Sequence, residues 1–462
     1  MIISKSSKEG SIKVSLMSSS NVEPEKLISH AALTCYNNEL PDIDGKGINV
    51  YERLYKTGHH TTLQHYFMTF AIEGVSVGDV TFGLHLANSF YNSDQRSGRF
   101  CSAMFSNPNY DSIGSYIEEF WSVGKTSMSE ILKYLHFSID SYQNNLEKAV
   151  SLTKEYLKKE RPKLSDKILE ANSIKIAQEQ LRMFIPVVFP TALDYTINLS
   201  SLIALWQSAW NPVMREVTNL MRDLFLEINP SCGYFFGNDL RMTEDWYPKR
   251  EIKSNYFLSG ICKEKPSYDL HNTKIDGEVS IPKSEETHPV DLIQFHPKFM
   301  DNSSKLIHSS IHISCATMGQ DQRHRTIKRT MPNFTGCVYA PPLLKDLGIE
   351  NDLIKVSSLW NNMYSYLPKT LSTIMVPYGS MVSYEKTGDL NAIMHETEKR
   401  LCWNTQEEIY HLNVQMREKV LKLRPDLEEI FSPHCIKCGK CGEGTRYCGR
   451  DLEDLGYQNR KV

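Results

Sequence analysis

Residues 58–76 read GHHTTLQHYFMTFAIEGVS: a turn rich in histidine and threonine gives way at Tyr66 to aromatic and β-branched residues. That content from Tyr66 to Ile72 predicts a strand. Upstream, IKVSLM at 12–17 alternates like a second strand, and PEKLISHAALTCY at 24–36 places Pro24 near a helix start with apolar residues at helical spacing behind it. Downstream, residues 112–180 are charge-rich and helix-like, Pro186, Pro190 and Asp194 break the pattern, and a helical stripe from Leu199 to Ile228 is interrupted by Pro212. Together these segments predict one large α/β unit over 1–236.

Residues 237–297 lack sustained periodicity and read as a connector with a short hairpin. A second unit over 298–430 opens with the alternating KLIHSSIHISCATM and closes with a long amphipathic helix from Gly388 to about Leu421. IPVVFPTALDYTINLSSLIALW at 185–206 is echoed by STIMVPYGSMVSYEKTGDLNAIMHETEKRL at 372–401: a strand-like approach, a proline, small residues, a tyrosine, a threonine, then a helix. A diverged tandem duplication is expected, aligning Tyr195 with Tyr384 and leaving the first copy a helical insertion at about 105–160. The expected fold class is α/β (α+β), with a small cysteine-rich module at 431–462.

Composition narrows the classes. Lys plus Arg is 52 against Asp plus Glu 55, the formal net charge is −3, and apolar residues make up 40% of the chain. Wholesale disorder and a strongly basic nucleic-acid wrap are both excluded. With no apolar run of about 18 residues, a soluble, cytoplasmic protein without membrane association is expected. Eleven cysteines are present, seven scattered and four near the C-terminus, which reads as reduced thiols plus one metal-type site rather than a disulfide framework.

The densest cationic constellation is Gln320, Arg323, His324, Arg325, Lys328 and Arg329. Guanidinium forks and an imidazole donor suit the phosphates of a nucleotide or dinucleotide, although a surface charge cluster is the plain alternative. Ser97, Gly98 and Arg99 form a second candidate, because a hydroxyl and a guanidinium around a glycine can receive a phosphate, as could an ordinary turn. His59, His60 and His65 lack an acidic partner at metal-ligand spacing. In PHCIKCGKCGEGTRYCGRD at 433–451, Cys435, Cys438, Cys441 and Cys448 suit tetrahedral zinc, approach an iron–sulfur run, or stand as free thiols, with His434 as a substitute ligand. KRTMPN and KCGKC would touch nucleic acid only weakly without a broad basic surface.

Taken with SGRF at 97–100, the stretch at 58–76 resembles the flavin-dependent thymidylate synthase family. That pattern runs Gly-His, Ser or Thr, Glu-His, Thr-Phe, Gly-Val-Ser, Arg-His-Arg, then Ser, any residue, Arg and Tyr. Residues 12–36 resemble the family's opening strand and helix, QDQRHRTI at 320–327 its Arg-His-Arg motif, and KRLCWNTQEEIYHL at 399–412 its late arginine helix. The departures are complementary. Leu84, His85 and Leu86 stand where the first unit should carry Arg-His-Arg, Gln64 stands for the glutamate and Phe100 for the tyrosine, and the second unit's NFTGCVY carries no Ser-x-Arg-Tyr.

The resemblance implies two diverged copies of a thymidylate synthase-like domain, at 1–236 and 298–430. It implies methylation of dUMP at C5 with methylenetetrahydrofolate and reduced FAD, NADPH serving as reductant. FAD contacts would fall to Arg323, His324 and Arg325, with His59, Asn391 and His395 in the same set. Ser97, Gly98, Arg99, Gln320 and Arg400 would hold the nucleotide, Gln320 and Arg400 also being the catalytic pair. Because the family is homotetrameric, a duplicated chain would form a homodimer imitating that tetramer. The alternatives are a non-catalytic FAD- or nucleotide-binding scaffold, and a related flavin enzyme acting on another pyrimidine nucleotide or nucleic acid.

Overall fold

The computed structural model describes residues 2–44, 50–86, 90–98, 103–237, 241, 261–283, 292–444, 447–451, 456–457 and 459–462. Arg99, Phe100 and Cys101 therefore lie outside the described residues. An antiparallel sheet is built from β1 (Ile3–Ser6), β2 (Lys13–Ser19), β3 (Phe67–Ser76), β4 (Tyr91–Gln95) and β5 (Pro190–Asn198), in the order β1-β2-β3-β5-β4. In β3, Met68, Phe70 and Ile72 face the core, as a period of two requires.

The helices Leu199–Ser208 and Pro212–Ile228 follow β5. The helical stripe is interrupted at Pro212, as expected, and the proline opens the second helix: Asn211 accepts from the Met214 N–H at 2.7 Å, and proline's missing N–H falls in the unpaired first turn. The helices Tyr110–Phe120, Lys125–Glu160 and Asp166–Leu181 separate β4 from β5.

A second sheet contains β6 (Cys262–Lys263), β7 (Ser267–Leu270), β8 (Leu306–Ser314), β10 (Asn333–Val338) and β11 (Ser380–Asp389), in the order β6-β10-β11-β8-β7, with β9 (Lys328–Arg329) also paired to β11. Among the described residues of the expected connector, β6 and β7 do not pair with each other. β6 runs parallel to β10 and β7 antiparallel to β8, so each short strand satisfies a different edge of the sheet. The β6–β10 register sets Cys262 opposite Cys337, and the two are joined by a disulfide, which corrects the expectation of reduced thiols throughout. The long helix expected from Gly388 resolves into the end of β11, a helix Leu390–Arg400 capped by Asp389, a turn, and a helix Glu407–Leu423.

The two sheets repeat one sequence of events. β3 ends at Ser76 and β8 at Ser314, each serine capping the next helix through its hydroxyl. β5 ends at Asn198 and β11 at Asp389, which cap the following helices through their side-chain Oδ1 atoms. Phe67 faces Asn198 in one sheet, and Leu306 faces Asp389 in the other. By this register Tyr195 corresponds to Lys386 and not to Tyr384, so the tyrosines of the sequence echo are two positions out of step.

At the junction Pro186 bridges Pro377 in antiparallel fashion. The Val187 N–H donates to the Val376 carbonyl and the Tyr378 N–H to the Ile185 carbonyl, both at 2.9 Å. Gly78 and Ala316 extend the exchange, donating to the Val187 and Tyr378 carbonyls at 2.7 and 3.0 Å. Described residues of the tail pack against the first unit. Arg161, from the first unit's long helix, donates to the carbonyls of Trp403, Cys448 and Val462, and Gln180 donates to that of Lys461. No described helix is long and apolar enough to cross a membrane.

The junction is tight enough to test. A Cβ on Gly78 would meet Ile374 at 2.8 Å, backbone included at 2.9 Å, so Gly78→Ala should cost about 1–3 kcal/mol in urea unfolding. Gly114, half-buried within a helix but with nothing within 4 Å of an added Cβ, should behave oppositely: Gly114→Ala should stabilise by about 0.5–1 kcal/mol.

Candidate functional site

The cationic segment leaves the helix Cys315–Asp321 and returns as β9, so its geometry depends on what anchors Asp321. That carboxylate is buried and receives Lys386 Nζ at 2.6 Å, Tyr384 Oη at 2.7 Å and Arg329 Nε. Burial alone would raise its pKa, but Arg329 and Lys386 hold it well below the usual carboxylate range. Lys386 also donates to Glu396 at 2.5 Å. Arg329 closes the loop by donating to the carbonyls of His324 and Ile327 at 3.0 and 2.8 Å.

Within this frame the expected residues divide. His324 is buried, and its Nε2 accepts from Arg400 Nε at 2.9 Å. Burial, then the charge of Arg400, keeps its pKa well below that of an ordinary histidine, so the ring is neutral. Arg400 also donates to the Gln320 carbonyl at 2.7 Å, and His395 lies edge-on to His324 with centroids 5.6 Å apart. Arg323 is exposed. Arg325 instead crosses to β4, donating to Asn92 Oδ1 at 2.5 Å and the Ser93 carbonyl at 2.7 Å, with its guanidinium over Tyr91. There it faces His85, whose pKa is pushed down to about 3 by burial and then by Arg325 and Arg323.

The Gln320 side chain donates to Gln406 Oε1 at 2.5 Å, and the same oxygen accepts from Arg182 of the first unit at 2.7 Å. Arg182 is buried and its guanidinium lies 5.3 Å from the Tyr378 ring centroid. A Cβ added to Gly98 would stand 3.9 Å from the Tyr378 hydroxyl and 4.0 Å from Arg182 Nη1. Gly98 therefore lies beside Arg182 and approaches the Tyr378 hydroxyl of the second unit across the junction. Arg182 and Gln406 escaped the sequence reading. The useful signal was position: Arg182 lies four residues before Pro186, the residue at the junction.

The remaining expected residues lie elsewhere. Asn391 is buried with its amide engaged by Asn302 and the Phe299 carbonyl, on the wall of a cavity of about 290 Å³ that also includes Thr326 and His296. His59 is exposed on the turn before β3, its carbonyl accepting from Thr62. Among the tail cysteines, Cys435 and Cys441 are half-buried, Cys448 is buried, and Cys438 is exposed with its thiol donating to the His434 and Lys440 carbonyls. Among the described residues, no three His, Cys, Asp or Glu side chains are already gathered to hold a metal ion.

A family model described as thymidylate synthase complementing protein matches residues 16–231, which lie within the first unit. Two crystal structures of thymidylate synthase X from Helicobacter pylori with FAD and dUMP are each 19% identical, covering 50% of this chain and 99% of theirs at a TM-score of 0.32. The UMP/dUMP methylase PolB from Streptomyces cacaoi bound with 5-Br dUMP is 15% identical, covering 49% of this chain and 94% of its own at a TM-score of 0.34. No curated protein matches.

Glu407, beside Gln406, is buried with both carboxyl oxygens within 2.8 Å of the Tyr339 hydroxyl, and burial, then Glu408, pushes its pKa up to about 8. The folded protein thus holds a proton that the unfolded chain releases near 4.5. This contribution is complete below pH 4.5 and is lost as pH rises to about 8. Urea titrations across that window should show stability falling with pH, and Glu407→Gln should flatten the slope.

Proposed function

We propose that the protein binds FAD and a uracil nucleotide between its units and methylates dUMP at C5, with methylenetetrahydrofolate as carbon donor and NADPH as reductant. The observation that carries this reading is the alignment of Gly98 and Arg182 from the first unit with Gln406, Gln320, Arg400 and His324 from the second. Guanidinium and amide donors concentrated around a side-chain-free approach suit an anionic nucleotide bearing a planar, hydrogen-bonding base. The family match over residues 16–231 supports the same chemical class.

In this reading Arg182, Ser97 and Gly98 hold the phosphate, joined by Arg99 from outside the described residues, while Gln320 and Arg400 orient the base. Neutral His324 positions Arg400 by accepting from its Nε. Exposed Arg323 is the cation for the flavin's phosphates, and His395, edge-on to neighbouring His324, joins it from the helix Leu390–Arg400. Arg325 serves as a strut between units instead, because β4 already holds its guanidinium. Bound reduced flavin supplies the hydride that completes transfer of the one-carbon unit. The chain's own residues hold the phosphate, polarise the uracil and fix its distance from the reacting groups.

The mirrored exchange about Pro186 and Pro377 supports reading the units as diverged tandem copies, and two such chains would imitate a four-unit assembly. A nucleotide-binding scaffold without turnover is the second reading, favoured by the commitment of Arg325 to Asn92 and Ser93.

The deciding measurement is the visible spectrum of the purified protein during titration with dUMP. Flavin bands that shift on addition are expected, and Arg182→Ala should weaken the apparent dUMP affinity by about 10- to 100-fold, the range for losing one charged hydrogen bond. A flavin-loaded protein that binds dUMP without methyl transfer would establish the scaffold, and a protein taking up neither ligand would defeat both readings.

A further inference from the structure

The cysteine spacing in the tail nominated four ligands from one segment, but the fold brings a fifth cysteine to them. Cys402 lies just beyond the helix Leu390–Arg400, two residues after Arg400. Cys448 packs in a small apolar cluster with Leu401 and Trp403, the two neighbours of Cys402, and with Tyr410. Arg161 ties these segments together from outside, its guanidinium donating to the Trp403 carbonyl at 3.0 Å and the Cys448 carbonyl at 3.4 Å. Arg450, almost wholly buried, lies over the rings of both Trp403 and Tyr457.

A third segment arrives through the short helix His434–Lys437, which carries Cys435. Lys437 pairs at 3.0 Å with Glu398, one helical turn before Cys402. The thiols lie within one another's electrostatic reach. The pKa of Cys435 is pushed up to about 12, first by burial and then by Cys402, with Cys448 and Cys441 adding to it. Cys402 is raised in turn by burial, with Cys448 contributing. Cys438 stands apart, its thiol turned onto the local carbonyls of His434 and Lys440.

We propose that Cys402, Cys435, Cys441 and Cys448 bind one zinc ion as four thiolates, with Cys438 outside the set. Four sulfurs supply the number and kind of ligand that a structural zinc ion takes. The outward turn of Cys438 breaks the three-in-a-row ligation that an iron–sulfur run of this spacing would use. Binding has to draw the sulfurs inward, since they are not yet gathered. The loop is built to allow this: Gly439, Gly442 and Gly444 have nothing within 4 Å of an added Cβ, and Gly439 and Gly444 already hold positive φ. Each thiol gives its proton to solvent as its sulfur binds, so four protons leave for one dication. The ion would pin the tail to the end of the helix carrying Arg400, an architectural role independent of the nucleotide reading.

The test is thiol alkylation with mass spectrometry on the full-length protein, purified without a chelating column, before and after zinc removal, alongside elemental analysis. Zinc should be present at one ion per chain. Cys402, Cys435, Cys441 and Cys448 should be protected until chelation, while Cys438 labels in both states. Cys402→Ser should lower zinc affinity by more than about 100-fold, beyond the loss of a ligand-orienting partner, and Cys438→Ser should leave it unchanged. If Cys402→Ser does not fold, the labelling of the unaltered protein decides. Cys402 that labels freely in zinc-loaded protein, a Cys438→Ser variant that loses the metal, iron with sulfide in place of zinc, or no bound metal would each overturn the assignment.

Discussion

Where residues 185–187 run against 376–378, a proline from each unit faces the other across the junction, and neither can donate a hydrogen bond. The pairing therefore rests on the N–H groups of Val187 and Tyr378, each donating to the residue before the opposite proline. Ile185, Val187, Val376 and Tyr378 are all buried, so a slip would strand polar backbone groups in an apolar setting. This exchange fixes the two sheets against each other, and the geometry of the shared site follows from it. Arg182 reaches Gln406 because its backbone leads directly into that pairing, and the Met183 carbonyl accepts from the Gly379 N–H. Gly78 has no side chain because Ile374 occupies the space.

A second constraint acts inside the later unit. Asp321, Lys386, Glu396 and Arg329 bury alternating charge beneath the segment 322–329. Such a network adds little net stability over apolar packing, because desolvation offsets much of the Coulomb gain. Its effect is geometric: the carbonyls of His324 and Ile327 are held by Arg329, so the loop presents Arg323 outward and turns His324 inward to Arg400. In the first sheet Tyr195 occupies the register position of Lys386, and its hydroxyl donates to the Leu84 carbonyl. There a neutral contact replaces the buried ion pair, and the segment it supports carries Leu84 and Leu86 instead of arginines.

The units thus divide the work. The second supplies the amides and the ordered cationic loop, while the first supplies Arg182 and the Ser97–Gly98 approach. Arg325 runs the other way, from the second unit onto β4 of the first, stacked on Tyr91 with Tyr195 beyond it. The charged loop therefore presents Arg323 outward and, through Arg325, fastens the two sheets together.

Local pattern made much of this legible. The aromatic and β-branched content of residues 66–72, the alternation of 306–314, Pro24 near a helix start and the cationic run of Gln320, Arg323, His324, Arg325, Lys328 and Arg329 all follow from residue type and spacing, because side-chain periodicity and charge are properties of the chain itself. Spacing could not reveal that β6 and β7 would take separate edges of a sheet, since an edge strand pairs with whatever backbone lies open beside it. Nor could it reveal that Cys262 would meet Cys337, or that Arg182 would share an oxygen with Gln320 from a residue more than a hundred positions away. By itself the sequence determined where apolar periodicity and the main strands and helices of each unit would fall, and where its cations concentrate. Tertiary structure alone decided which groups face one another, because those contacts depend on two sheets being brought together at one proline bridge, and nothing local to either segment encodes the other's position.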